Sequence, residues 1–362
     1  MDIKKRDFLS LGLGAGLAAT SAAAQPATAP RPPAGGGTPR PGTPVNSNVQ
    51  PSSVDFNYKP RRLNKMIELW EDNQPVYYIN LIINAPGDDP YAIGVKYART
   101  FADAIIISME HDSTLDYTSL RCFMKGLVEG GPTRSGHRTP AVIAECPVIG
   151  LDEPYMRANS WVLGALLDCG VMGVHLCHAR DPKAVEVAAH MALRYPFDYP
   201  DTPKVAMRGL RGSSATFAAQ TFGVSTNKYC HIADLWPLNP HGELVFGVKI
   251  EDTYADANAA KTLAVPGVAF AEWGPGDHNY WLNGLPALPE AGGGEASISS
   301  IPNMVAVRKN ALELSKKNNV RFLNSAGADV VAQLKDGVML ISSNNEQAAI
   351  TGREYSKRRM PV

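Results

Sequence analysis

Two short segments of this chain end in carboxylates that could hold a metal ion: Val248-Lys249-Ile250-Glu251-Asp252 and Trp273-Gly274-Pro275-Gly276-Asp277. Each closes a predicted β-strand, and they stand about one βα unit apart. In a (β/α) barrel that spacing puts their tips side by side. Glu251 and Asp277 on neighbouring strand ends, with most ligand positions left open, suit a hard divalent cation such as Mg2+ or Mn2+. A cation held in this way polarises a bidentate oxygen ligand, a 2-oxo acid or its enolate. The plain alternative is a pair of surface carboxylates.

The elements that must position them alternate regularly. Predicted strands cover 76–83, 104–109, 141–146, 173–177, 244–251, 268–273, 321–324 and 338–342. Predicted helices lie between them: 91–101, opened by Asp89-Pro90; 117–128, ended by Gly130-Gly131; a segment over 161–169; 182–195, capped by Asp181; one through Thr262; 304–318; and 328–335. Eight β-runs with helices between them predict an α/β fold, a closed (β/α)8 TIM barrel. The strands read as continuous apolar runs, as expected where helices cover the sheet. A doubly wound open sheet is the fold alternative, but no GxGxxG follows the first strand. Two connections are long, 196–242 and 283–301, and long βα loops in barrels serve as lids or subunit contacts.

Composition narrows the rest. The chain has 362 residues, enough for one large barrel or two ordinary domains, and its formal net charge is zero, which gives no reason to expect nucleic acid as a partner. The five cysteines form no CxxC pair and are odd in number, against both a zinc site and a dense disulfide framework. Residues 1–24 read as an export signal: Lys4-Lys5-Arg6-Asp7-Phe8-Leu9 precedes a Gly/Ala/Leu stretch, and Ser21-Ala22-Ala23-Ala24 offers small residues for cleavage. The start resembles a twin-arginine signal with Lys5 in place of the first arginine, so a general secretory route stays open. The expected location is periplasmic or secreted, with no membrane span in the mature form. Residues 25–58, rich in Pro, Gly, Thr and Ser, read as a disordered linker, and 59–362 as the barrel.

Five segments in order are similar to the HpcH/HpaI aldolase and citrate lyase family. Ile107-Ser108-Met109-Glu110-His111 resembles its I-D-x-E-H motif, and Leu166-Leu167-Asp168-Cys169-Gly170 its L-D-x-G segment. Gly209-Leu210-Arg211-Gly212 resembles its G-x-R-G loop, Val248 to Asp252 its Q-I-E-T strand, and Trp273 to Asp277 its G-P-A-D loop. The resemblance spans about 79–343. It implies a metal-dependent pyruvate aldolase on a (β/α)8 barrel, assembled as a homo-oligomer, a hexamer or trimer. It implies Glu251 and Asp277 as metal ligands, His111 as catalytic base and Asp168 as the acid group that raises its basicity. It also implies Gly276 as a backbone contact to the oxo acid. Asp168 ends the helix before the fourth strand, so its contact with His111 would run across a subunit interface.

Three departures stand out. The family's Asp three residues before the His is Ser108 here, its Gln two residues before the metal-binding Glu is Lys249, and its arginine at the end of the third strand is missing, with Ile143, Ala144, Glu145 and Cys146 nearby. Strand side chains repeat every two residues, so Lys249 shares the face of Glu251 and points at the same centre. There it could bind substrate in place of the missing cation, or act as base or nucleophile if burial depresses its pKa. The plain reading is a salt bridge to Glu251 or Glu145. His175 and Cys177 share a face of the fourth strand and read as core. Trp273, His278, Tyr280 and Trp281 are expected to cluster as an aromatic wall or an interface patch, and Arg134, His137 and Arg138 as a solvated loop. The function these readings support is a metal-dependent carbon–carbon lyase acting on a 2-oxo acid with an aldehyde-type partner. The alternative is a repurposed, non-catalytic barrel that binds a metal and an oxygenated ligand.

Overall fold

Eight parallel strands close on themselves in the computed structural model, which describes residues 50–111, 115–213, 215–284, 300–324, 329–342 and 346–362. They are β1 (Val76–Leu81), β2 (Ala104–Ser108), β3 (Ala141–Val148), β4 (Gly173–Cys177), β5 (Leu244–Lys249), β6 (Val268–Glu272), β7 (Arg321–Asn324) and β8 (Val338–Ser342). Each pairs with its sequence neighbours, and β1 pairs with β8 to complete the ring. The closed α/β barrel is therefore present. A two-residue strand, Leu235–Trp236, adds to the start of β5. The ends of β4, β7 and β8 fall where the sequence placed them; the others differ by one or two residues at the C-terminal end. That is where the chain leaves the ladder to set side chains at the rim.

Helices cover the outside: α1 (Lys65–Glu71), α2 (Pro90–Tyr97), α3 (Tyr117–Gly130), α4 (Glu153–Asp168), α5 (Pro182–Glu186, continuing as π-helix over Val187–Ala192), α6 (Thr216–Phe222), α7 (Thr226–Ile232), α8 (Thr253–Thr262), α9 (Pro275–Asn283), α10 (Pro302–Lys317), α11 (Val330–Asp336) and α12 (Glu346–Tyr355). Among the described residues no helix is long and apolar enough to cross a membrane. Aspartate N-caps start α2, α3, α4, α5, α8 and α11, each accepting backbone N–H bonds of the first turn. Helices α2 and α3 touch through glycines: a Cβ on Gly94 would meet the Phe123 carbonyl oxygen at 2.2 Å, and one on Gly126 the Tyr91 carbonyl at 2.1 Å.

The barrel's N-terminal mouth is plugged. Helix α1 is buried along most of its length, and its cap Asn64 donates to the carbonyls of Met172 and Glu243, the residues just before β4 and β5. Asp103, just before β2, is buried among Lys65, Arg353 and Arg358, tying α1 and the C-terminal segment to the base. Its carboxyl is held far below the usual range: burial opposes ionisation, but the three cations outweigh it.

Two expectations need correction. Residues 50–58 do not belong to a linker: the Asp55 N–H bonds the Arg359 carbonyl, and Ser53 Oγ donates to the Arg358 carbonyl at 2.7 Å. The long 196–242 connection follows a helix and precedes β5, so it is an αβ connection at the face opposite the strand C-termini. It carries α6 and α7 and is no lid over the site. Residues 1–24, 25–49 and most of 283–301 lie outside the described residues.

Candidate metal centre

The C-terminal rim gathers four donor residues, each within five residues of a strand end. Glu110 follows β2, His178 follows β4, Glu251 follows β5, and Asp277 stands in the first turn of α9 after β6. One ligand atom from each lies within 4.8 Å of all the others. Parallel strands that end on the same rim bring these residues together although their sequence separations are large.

Glu251 is the buried centre of the group. Its side chain is 1% exposed, and neither carboxylate oxygen has a hydrogen-bond partner. A carboxylate in that position is costly unless cations face it, and the Lys249 ammonium, 3.4 Å from Oε2, is shared with Glu110 and Glu145. Burial pushes its pKa well above the ordinary value; Lys249 opposes the shift, and Glu110, Glu272 and Asp277 add to it. Gly274 leaves the space: a Cβ there would meet Glu251 Oε2 at 2.1 Å. Glu110 presents the same chemistry, with Oε1 buried and unbonded. The donor set of three carboxylates and one imidazole, with bare oxygens turned inward, fits a divalent cation.

Lys249 points at this centre, as strand alternation required, but not as a base. Its Nζ lies 2.6 Å from Glu110, 3.4 Å from Glu251 and 3.5 Å from Glu145. Burial alone would lower its pKa; Glu145, Cys177, Glu251 and Glu272 outweigh burial and hold the ammonium well above its usual value. The depressed-pKa reading is thus corrected, and the salt-bridge reading holds. Glu145 lies on β3, in the stretch where the sequence resemblance led one to look for an arginine. Ser108 Oγ donates to it, and its carboxyl lies far below the usual range because Lys249, His175 and Ser108 outweigh burial. His175 and Cys177 are fully buried, as expected of core, yet His175 Nδ1 is 3.4 Å from both Glu145 and Glu272.

His111 is half exposed, with Nε2 3.3 Å from Glu110 and 3.4 Å from Asp277. Asp168 is not beside it. As the last residue of α4 it sits at the opposite end of the barrel, where β4 enters, 3.4 Å from Arg211. Burial raises its pKa and Arg211 opposes the rise. It lines an outward cavity of about 450 Å³ with Trp161, Leu210 and Arg211. Gly276 is exposed in the first turn of α9, next to Asp277.

The expected aromatic wall is not one cluster. Trp273 is buried in a core of its own with Tyr77 and Phe322, and His278 is buried against Asp256 at 2.7 Å. Trp281 instead packs with Tyr254 around the Arg180 guanidinium. His137 is no solvated loop residue either. It is buried between Ser135 and Glu68.

Sequence reasoning missed Glu110 as a donor and did not single out His178. Both carry the signal that found Glu251, a chelating side chain just past a β-run.

No protein-family model matches this sequence, and no curated protein matches it. Solved structures do match its fold. An HpcH/HpaI aldolase/citrate lyase family protein from Burkholderia cenocepacia J2315 superposes with a TM-score of 0.56 at 18% identity, over 81% of this chain and 98% of that one. An HpcH/HpaI aldolase from Desulfitobacterium hafniense DCB-2 gives 0.52 at 17% identity, over 81% and 96%. Macrophomate synthase gives 0.53 at 18%, over 84% and 94%. At these identities the likeness shows a shared fold.

Proposed function

We propose that this chain is a divalent-metal-dependent carbon–carbon lyase of the HpcH/HpaI type, acting on a 2-oxo acid. The observation that carries this reading is Glu251: a carboxylate with two bare, buried oxygens, set beside Glu110, Asp277 and His178 on the rim where barrel enzymes do chemistry. The HpcH/HpaI fold supports it as analogy.

Glu251 and Asp277, with Glu110 beside them, would hold the cation, Mg2+ or Mn2+ in the simplest case. When bound it supplies charge that stabilises an enolate. The chain's own residues account for the rest. The α9 N-terminus, with the backbone of Gly276 exposed, offers N–H groups to the substrate carboxylate. Lys249, whose ammonium lies 3.4 Å from Glu251, stands in for the family arginine in binding the oxo acid. His111 reaches the rim between Glu110 and Asp277 and is placed to move a proton to or from the carbon left when the bond breaks.

Asp168 acts on His111 only from a neighbouring subunit. Its position in an outward cavity beside the exposed Trp161 and Leu210 supports a homo-oligomer in which that face meets another copy's rim. The N-terminal signal pattern supports export to the periplasm or beyond.

The test is oxaloacetate decarboxylation with Mn2+ or Mg2+, a reaction that needs a cation, an enolate-stabilising site and a group that delivers a proton to the enolate carbon. Metal-dependent turnover lost in His111→Ala supports the lyase. Metal binding without turnover supports the alternative, a repurposed binding barrel, which the missing third-strand arginine and the serine at 108 favour.

A further inference from the structure

The rim contains a nitrogen donor beyond the carboxylates, and its orientation is fixed from behind. His178 Nδ1 lies 2.7 Å from Asp252 Oδ2. That same oxygen accepts from Arg180 Nε at 2.6 Å, and Asp252 Oδ1 accepts the backbone N–H groups of Tyr254 and Ala255. Every partner of Asp252 other than His178 is a donor, so Asp252 is an acceptor throughout and the proton of a neutral His178 sits on Nδ1. The lone pair is then on Nε2. Nε2 faces the bare oxygens of the cluster, 3.8 Å from Glu110 Oε1 and 3.9 Å from Glu251 Oε1. Both distances are too long for hydrogen bonds, so the lone pair has no donor from these groups.

The clamp is itself held. The Arg180 guanidinium lies over Tyr254 at 5.0 Å and over Trp281 at 4.6 Å. Asp252 is also the N-cap of α8, so its position is tied to the helix. The exposed aromatics of this rim therefore act through Arg180 and Asp252 on the direction of one imidazole. A carboxylate behind a histidine, with the other ring nitrogen turned toward a group of ligands, is the usual support of a metal-bound histidine.

We infer that His178 is a direct nitrogen ligand of the cation, and that the centre consequently prefers a first-row transition ion such as Co2+ or Zn2+ to Mg2+. The inference rests on the proposed metal site and adds a ligand to it. Magnesium takes oxygen ligands, whereas imidazole raises affinity along the transition series.

Mn2+ bound to the full-length protein is the probe, read by pulsed electron paramagnetic resonance for modulation from a directly bound imidazole 14N. The expected result is modulation in the wild type and in His111→Ala, and none in His178→Ala or the bulkier His178→Gln. Calorimetric competition should show the Co2+ to Mg2+ affinity ratio falling at least about tenfold in the His178 variants. Mn2+ bound to the wild type without 14N modulation, or modulation persisting in His178→Gln, overturns the inference and leaves the carboxylate site standing. No Mn2+ binding by the wild type overturns both.

Discussion

Replacing Lys249 with methionine should weaken the fold and tighten metal binding in the same variant. The ammonium is buried and touches three carboxylates, at 2.6, 3.4 and 3.5 Å. Removing one partner of a buried ion pair leaves uncompensated charge and costs about 3–5 kcal/mol. For a domain of this size that is a fall in Tm of roughly 5–10 °C in the presence of EDTA. Acidification should recover part of the loss relative to the wild type. Burial without a counter-ion penalises the charged form of a carboxyl, so protonation at lower pH relieves that penalty. A divalent cation should recover it too. In the wild type the ammonium 3.4 Å from Glu251 repels an incoming cation; in Lys249→Met that repulsion is gone, so Mn2+ affinity should rise while the KM for oxaloacetate rises as well. Saturation at a hundredfold over Kd adds about 2.7 kcal/mol. Differential scanning calorimetry with and without Mn2+, with isothermal titration for affinity, measures both effects. A variant as stable as the wild type in EDTA, or one that binds Mn2+ more weakly, would show that Lys249 is not the counter-charge of this centre.

Glu251→Gln or Asp277→Asn should remove Mn2+ binding in calorimetry with the circular dichroism spectrum unchanged. His111→Ala should abolish oxaloacetate decarboxylation and keep metal affinity. Asp168→Asn should slow it and shift the pH–rate profile to lower pH, and mixing this variant with His111→Ala should raise activity above that of either alone only if the pair meets between subunits. Glu68 has its pKa pulled down to about 2 although burial opposes this, because His137, Tyr58 and the Arg61 and Arg62 backbone N–H groups bond it. Its folded value lies below its unfolded one, so the stability it contributes is present above pH 4.5 and lost between there and about 2; Glu68→Gln should flatten that acid limb in thermal melts. A fusion of residues 1–57 to a reporter should reach the periplasm with cleavage near Ala24; cytoplasmic, uncleaved reporter would refute export.

The barrel was legible because its strands carry their burial on both faces. Ala104 to Ile107 and Gly173 to Cys177 are buried at every position, so neither strand alternates, and each reads as a continuous apolar run. Helix starts were legible through Asp89, Asp116 and Asp181, whose carboxylates must satisfy free N–H groups. The strap over 50–58 was not. Its composition is that of a linker, and only the C-terminal residues it meets, Arg358 and Arg359, give it a place. Local composition carries no record of a partner 300 residues away.

The site divides along the same line. Glu251, Asp277 and Lys249 were readable because strand alternation and strand order are local rules. His178 and Glu110 needed the rim to be closed before their distance to Glu251 had meaning. Ser108, Glu145 and Lys249, met one by one in the sequence, form a connected set in space: Ser108 holds Glu145, Glu145 faces Lys249, and Lys249 faces Glu110 and Glu251. Changing one member alone should therefore be costly. Glu145→Arg would bring a second cation against Lys249, and Lys249→Gln would leave Glu145 unpaired. Each single change should cost stability and activity, whereas Glu145→Arg with Lys249→Gln should recover much of both, a coupling that a double-mutant cycle measures directly. Additive losses in that cycle would mean that Glu145 and Lys249 are not energetically coupled and that their ion pair has no part in the site.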